Sequence, residues 1–208
     1  DMLVLDESPV GEETDGNNAP VGITTVMAGF ADNFVASIDY GTDGPGDVGY
    51  SLALNGPNVG SGLFALDPAD TDDVGDDGDG IGQGGEIVMN QVGDVITGSF
   101  GGTDYFTISI NPDTGVVTFT QLNNIWHANT GDHDDSEALT TDAASDLQVV
   151  QTVIDADGDR DSASINLGGG NVFKIEDDGP NAQVNGQATL DMLVLDCLLY
   201  TSDAADDP

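Results

Sequence analysis

The chain has 208 residues, enough for one well-buried core with a further element attached. Its formal net charge of -37, from 39 acidic and two basic side chains, excludes nucleic acid as a natural partner and disfavours an anionic membrane surface, because both are polyanions. No stretch approaches the ~20 apolar residues of a membrane span, so membrane insertion is not expected.

Six of the acids are Glu and 33 are Asp, the shorter side chain that favours turns and local backbone contacts. They are concentrated in residues 67–79, 132–137, 155–161 and 176–178. A halophilic surface would spread its carboxylates over exposed faces; clustering in loops points instead to bound cations.

In chain order, the opening "DMLVLD" recurs unchanged at residues 191–196, so one unit is followed by the start of another. Residues 1–180 read as one repeat, and 181–196, "NAQVNGQATLDMLVLD", as a linker and the lead-in to its successor. "FVASIDY" (34–40) and "VGYSLAL" (48–54) alternate as half-buried strands, the first with Phe34, Ala36, Ile38 and Tyr40 inward and the second with Val48, Tyr50, Leu52 and Leu54 inward. A long insertion is expected around residues 56–86. It carries "DPADTDDVGDDGDGIGQGG", in which Asp76, Asp77 and Asp79 are candidate metal ligands, although no consecutive glycine- and aspartate-rich nonapeptides align there and a solvated loop accounts for it equally.

"GEIVMNQVGDVITGSF" and "DYFTISINPDTGVVTFT" read as hairpins, the second with Phe106, Ile108, Ile110, Val117 and Phe119 inward. "HANTGDHDD" sets His127 and His133 beside Asp132, Asp134 and Asp135, residue types that hold zinc or iron; lacking a third firm ligand, they read as loop residues, with Trp126 as a core or loop plug. "LQVVQTVID" and "SASINL" read as strands, the latter with Ala163, Ile165 and Leu167 inward, joined by an acidic loop. Short helical turns fit only "QLNNIWH" or "SEALTTDAASD". Many short strands with Gly and Asp turns give an all-β fold, an antiparallel β-sandwich, Ig-like in the broad sense, with a long acidic loop insertion.

The joining loop, "DADGDRD", places Asp155, Asp157, Asp159 and Asp161 at alternate positions. Unit like charges about 4 Å apart repel by roughly 4 kcal/mol at an effective dielectric near 20, so ordering such a loop requires a counter-charge. Arg160 and Lys174 are too few to supply it, which leaves a solution cation. Calcium, with its oxygen ligands and tolerant geometry, fits best. The loop is not an EF-hand, because Gly158 is fourth rather than sixth and no Glu stands twelfth. In "IEDDGP", Glu176, Asp177 and Asp178 sit at a domain edge, where they either share an ion with a neighbouring unit or simply end a strand.

Glycine-flanked serine elbows, phosphate loops and convincing His–Ser pairs are lacking, so an enzyme is not expected. The tail 197–208, "CLLYTSDAADDP", breaks the repeat and, over 197–206, resembles the in-frame translation of a transposon-type sequencing adapter. It is set aside as a non-native tail, and with it Cys197, the one cysteine.

Together, "LVLDESPVG", "GTDYFTISINPDTGVVTFTQLNNIWH", "VVQTVIDADGDRDSASINLGG" and "VFKIEDDGP" resemble the repeat domain found in tandem in giant type I-secreted, RTX-type bacterial adhesins. That resemblance covers about residues 1–180. It implies an extracellular, calcium-rigidified stalk or spacer module at the bacterial cell surface. Its partners would be calcium ions and neighbouring repeats of the same chain, with host or abiotic surfaces contacted through other domains. A carbohydrate- or surface-recognising adhesin module is the alternative.

Overall fold

A computed structural model describes residues 2–8, 22–35, 37–71 and 80–180. Asp76, Asp77 and Asp79, the lead-in 181–196 and the tail 197–208 lie outside the described residues. The described residues form twelve strands: β1 (Leu3–Asp6), β2 (Thr25–Gly29), β3 (Pro45–Leu54), β4 (Val59–Leu66), β5 (Gln83–Val92), β6 (Val95–Phe100), β7 (Thr103–Ile110), β8 (Val116–Gln121), β9 (Ser136–Thr140), β10 (Leu147–Asp155), β11 (Arg160–Asn166) and β12 (Gly169–Glu176). Two single 3₁₀ turns, Ala31–Asn33 and Ala144–Asp146, are the helical elements among them. The fold is all-β.

Three sheets are present, with strand orders β2-β8-β7-β6-β5-β4, β11-β10-β3 and β1-β12-β9. Among the described strands all pairings are antiparallel except β1 with β12, which run parallel and lay the first and last of these strands side by side. The large sheet is a meander of hairpins whose turns are chemically specified. Between β7 and β8 the Asn111 carboxamide accepts the amides of Asp113 and Thr114 at 3.0 and 3.1 Å. Gly115 closes that turn at φ 66°, a left-handed conformation that favours glycine.

The inward residues of these hairpins meet those of the smaller sheets in one core. Phe119 of β8 stands between Phe106 of β7 and Phe173 of β12, with ring centroids 5.7 and 5.2 Å away and both contacts edge-to-face. All three rings are fully buried. Apolar burial at roughly 25 cal/mol per Å², with aromatic edge contacts added, therefore joins the large sheet to the β1-β12-β9 sheet. The arrangement is that of a β-sandwich of antiparallel sheets.

Several local expectations need correction. Residues 34–40 bury alternate side chains, Phe34, Ile38 and Tyr40, with Phe34 against Tyr50 at 5.9 Å, but the described residues there join no ladder. Periodicity reports which side faces the core, and a strand additionally requires a partner edge. The expected insertion takes in sheet, because 59–66 is β4 and β5 begins at Gln83, and among the described residues 67–71 and 80–82 are its irregular part. Ala163 is exposed and Ile165 half-buried, since β11 is an edge strand. "SEALTTDAASD" does contain a helical turn, held by Asp146, whose carboxylate accepts the Ala143 amide at 3.0 Å and the Asn55 carboxamide at 2.8 Å.

Two predictions follow from this packing. Phe119→Ala is expected to cost about 3–5 kcal/mol in chemical denaturation, the usual range for emptying a buried aromatic site. The Asn55 and Ala143 hydrogen bonds hold the Asp146 carboxyl below its ordinary value. Its stabilising effect is therefore present above that ordinary value and lost as pH falls through the lowered one. Thermal melts should show Asp146→Ala less stable than the parent at pH 7, with the gap closing near pH 2.

Candidate metal centre

The acidic loop that joins β10 to β11 is built around Asp155, the last residue of β10. Its Oδ1 accepts the amides of Gly158 at 3.0 Å and Asp159 at 2.8 Å, while its own amide donates to the Asp159 carbonyl at 3.0 Å. Gly158 makes the reversal at φ 100°. Short polar side chains that bond the backbone a few residues on form such turns readily, which is why this acid-rich stretch is a compact turn.

A second loop is pinned against the first. The Ala156 amide donates to the Gly44 carbonyl at 3.1 Å, and the β3–β10 register shifts at Ile154/Asp155 so that Asp155 faces Pro45. Gly46 permits this approach: a Cβ there would stand 2.2 Å from the Asp155 carbonyl oxygen. The outcome is that Asp43, in the turn before β3, joins Asp155 and Asp157, with one carboxylate oxygen from each lying within 4.8 Å of the others.

Calcium binds oxygen at about 2.3–2.6 Å, so a single ion spans oxygens up to about 5 Å apart, and these three fit. Partial burial opposes ionisation of Asp155, but hydrogen bonds from the Asp157 carboxyl when that group is protonated and from the amides of Asp159, Gly158 and Asp157 outweigh it and hold the Asp155 carboxyl below the ordinary carboxylate range. Arg160 and Lys174 make no ion pair with a carboxylate among the described residues.

The other acids of the loop are placed differently. Asp159 and Asp161 are outside the trio and line an adjoining cavity of about 200 Å³ with Asp39, Tyr40, Val153, Asp155 and Arg160. Asp161 Oδ1 accepts the Ser162 amide at 2.8 Å. Sequence reasoning missed Asp43. The signal lay in "DYGTDGPGD", an Asp- and Gly-rich turn directly before a strand, but only the pairing of β3 with β10 shows which loop it faces.

"IEDDGP" divides as well. Glu176 is buried at the end of β12, opposite Asp6 in the parallel pair and Ser136 in the antiparallel one. Asp177 turns towards Glu7 and His127, and Asp178 lines the same cleft. His127, read from sequence as a loop residue, is buried. Burial works against its protonation, yet the neighbouring carboxylates of Glu7, Asp177 and Glu137 hold its pKa above the ordinary value. Trp126 plugs the loop at 80–82, its indole N–H donating to the Ile81 carbonyl at 2.9 Å and its ring meeting Phe64 edge-on at 6.2 Å.

A family model described as a domain of unknown function, DUF5801, matches residues 2–168. No curated protein and no solved structure matches the chain.

Because the approach of β3 to Asp155 tolerates no side chain at position 46, Gly46→Ala should separate the two loops. The contact is with backbone, which cannot rotate away, so a loss of about 1–3 kcal/mol is expected in denaturant melts, as for other overpacked sites. Gly56→Ala, where a Cβ meets nothing within 4 Å but φ is 101°, serves as the comparison for glycine strain alone.

Proposed function

We propose that this chain, which belongs to the DUF5801 family, is a calcium-rigidified structural module, a stalk or spacer repeat of a large secreted bacterial surface adhesin. The observation that carries this reading is the convergence of Asp43, Asp155 and Asp157 from two loops onto one point, at a spacing a calcium ion bridges, in a protein with two basic side chains. The resemblance of residues 1–180 to tandem adhesin repeats and the recurrence of "DMLVLD" supply the context of a repeated unit. Because β1 and β12 run parallel, the chain enters at one end of this strand pair and leaves at the other, which suits an end-to-end arrangement of modules.

In this reading the role is mechanical and non-enzymatic. Where free calcium is scarce, the two loops repel and the region around them is loose; outside the cell, calcium draws them together. Type I export and a cell-surface location belong to the same proposal. Recognition of a sugar through Trp126 draws no support from the geometry, because the indole is engaged with Ile81 and Phe64.

Thermal melts in calcium and in chelator test the reading. A ligand at 100 times its Kd adds about 2.7 kcal/mol, which for a unit of this size raises the melting temperature by about 5–10 °C per occupied site. Asp157→Asn is expected to lower the melting temperature in calcium while leaving it unchanged or raised in chelator, because it removes a ligand in one case and a repelling charge in the other. Equal parent melts in both buffers would count against the proposal.

A further inference from the structure

A second cluster, at the end of the unit where β1 and β12 lie side by side, differs in chemistry from the acidic loops. Glu7 directly follows β1, Asp177 directly follows β12, and His127 follows the Ala65–Ile125 bridge to β4. One ligand atom from each lies within 4.8 Å of the others. The His127 and Glu7 side chains are only 5% and 3% exposed.

Glu7 is held in place by its other oxygen. Its Oε1 accepts Gln121 Nε2 and, at 3.0 Å, the Ile125 amide, which leaves Oε2 facing His127 Nε2 at 4.0 Å. That separation is too long for a hydrogen bond. Neither ring nitrogen of His127 has a hydrogen-bond partner among the described residues. Buried polar atoms in native proteins are overwhelmingly satisfied, so an imidazole enclosed by carboxylates with both nitrogens unpartnered requires an explanation.

We propose that Glu7, His127 and Asp177 bind a divalent transition-metal ion of the zinc type, stapling the two ends of the unit together. Zinc bonds imidazole nitrogen and carboxylate oxygen at about 2.0–2.2 Å, so one ion spans ligand atoms up to about 4.3 Å apart, and the 4.0 Å between His127 Nε2 and Glu7 Oε2 falls inside that reach. The Asp177 carboxylate, half-buried and within 4.8 Å, has only some tenths of an ångström to close. Calcium is the wrong ion here, since it takes oxygen ligands and leaves imidazole aside. The hydrogen bonds from Gln121 and Ile125 to Glu7 are the outer contacts that orient a ligating carboxylate. The three residues line a cleft of about 410 Å³ together with Trp126, His133 and Asp178.

This site is independent of the calcium reading, and the experiment keeps the two apart. The full chain is titrated with zinc chloride in buffer already saturated with calcium, and binding is followed by calorimetry and by ¹⁵N imidazole spectra, which are simple because the chain has two histidines. One zinc per chain with a Kd below about 10 μM is expected, with the His127 ring signals moving on binding. Asp177→Asn should weaken zinc at least 10-fold and His127→Phe at least 100-fold, while both keep the calcium-induced rise in melting temperature. Asp157→Asn should do the reverse. His127→Phe keeps the shape of the buried ring and removes its unpartnered nitrogens, so in the absence of zinc it should be no less stable than the parent. Should that variant fail to fold, Asp177→Asn and the His127 signals of the parent decide the matter. Zinc binding that is absent, unaffected by Asp177→Asn, or seen only at His133 would overturn the proposal.

Discussion

Charge imbalance is the constraint around which this protein is organised. With 39 carboxylates and two basic side chains, almost no acid can be neutralised by a partner within the chain. Nearby like charges repel, and burial makes the repulsion worse by removing the water that screens it. The fold answers by separating the two problems. Its core is apolar and aromatic, centred on Phe106, Phe119 and Phe173. Most of the described acids lie outside the strands, in turns and loops where a cation from solution can reach them, while Asp6, Glu7 and Glu176 are buried.

Backbone geometry then determines which acids meet. Asp43 and Asp155 are 112 positions apart in the chain, yet the pairing of β3 with β10, the register shift at Asp155 and the absence of a side chain at Gly46 bring their loops into contact. The Gly44–Ala156 hydrogen bond fixes that contact without using any carboxylate. A cation placed there closes a long loop of chain, so its effect on rigidity extends beyond the side chains it touches. In the β1-β12-β9 sheet, the parallel β1–β12 pair creates a different setting. There a buried histidine stands beside Glu7 and Asp177, which directly follow the first and last described strands.

Much of the architecture was legible in the sequence because local rules agree with one another. The hairpins from Gln83 to Gln121 follow from strict alternation and from turns with Gly, Asn and Asp at the positions that need them. The Asp155 loop was legible for the same reason, since closely spaced Asp around a glycine can be explained locally. What was hidden depended on long-range pairing. Asp43 carries little signal alone, and Glu7 carries none, because their partners come from strands more than one hundred residues away. Residues 34–40 show the converse: Phe34, Ile38 and Tyr40 are half-buried at alternate positions, but the described residues there join no ladder. Asp159 and Asp161, attractive in the pattern, face an adjoining cavity once the turn closes on Asp155.

Amide hydrogen exchange tests most directly whether a cation orders the paired loops. Ala156, Gly158 and Asp159 donate to Gly44 and to the Asp155 carboxylate, and so report closure of the cluster. In calcium these amides are expected to exchange at least 10-fold more slowly than in chelator at matched ionic strength, while Phe106 and Phe119 amides in the core change far less. Equal protection of the loop amides in calcium and in metal-free, low-salt buffer would contradict the account.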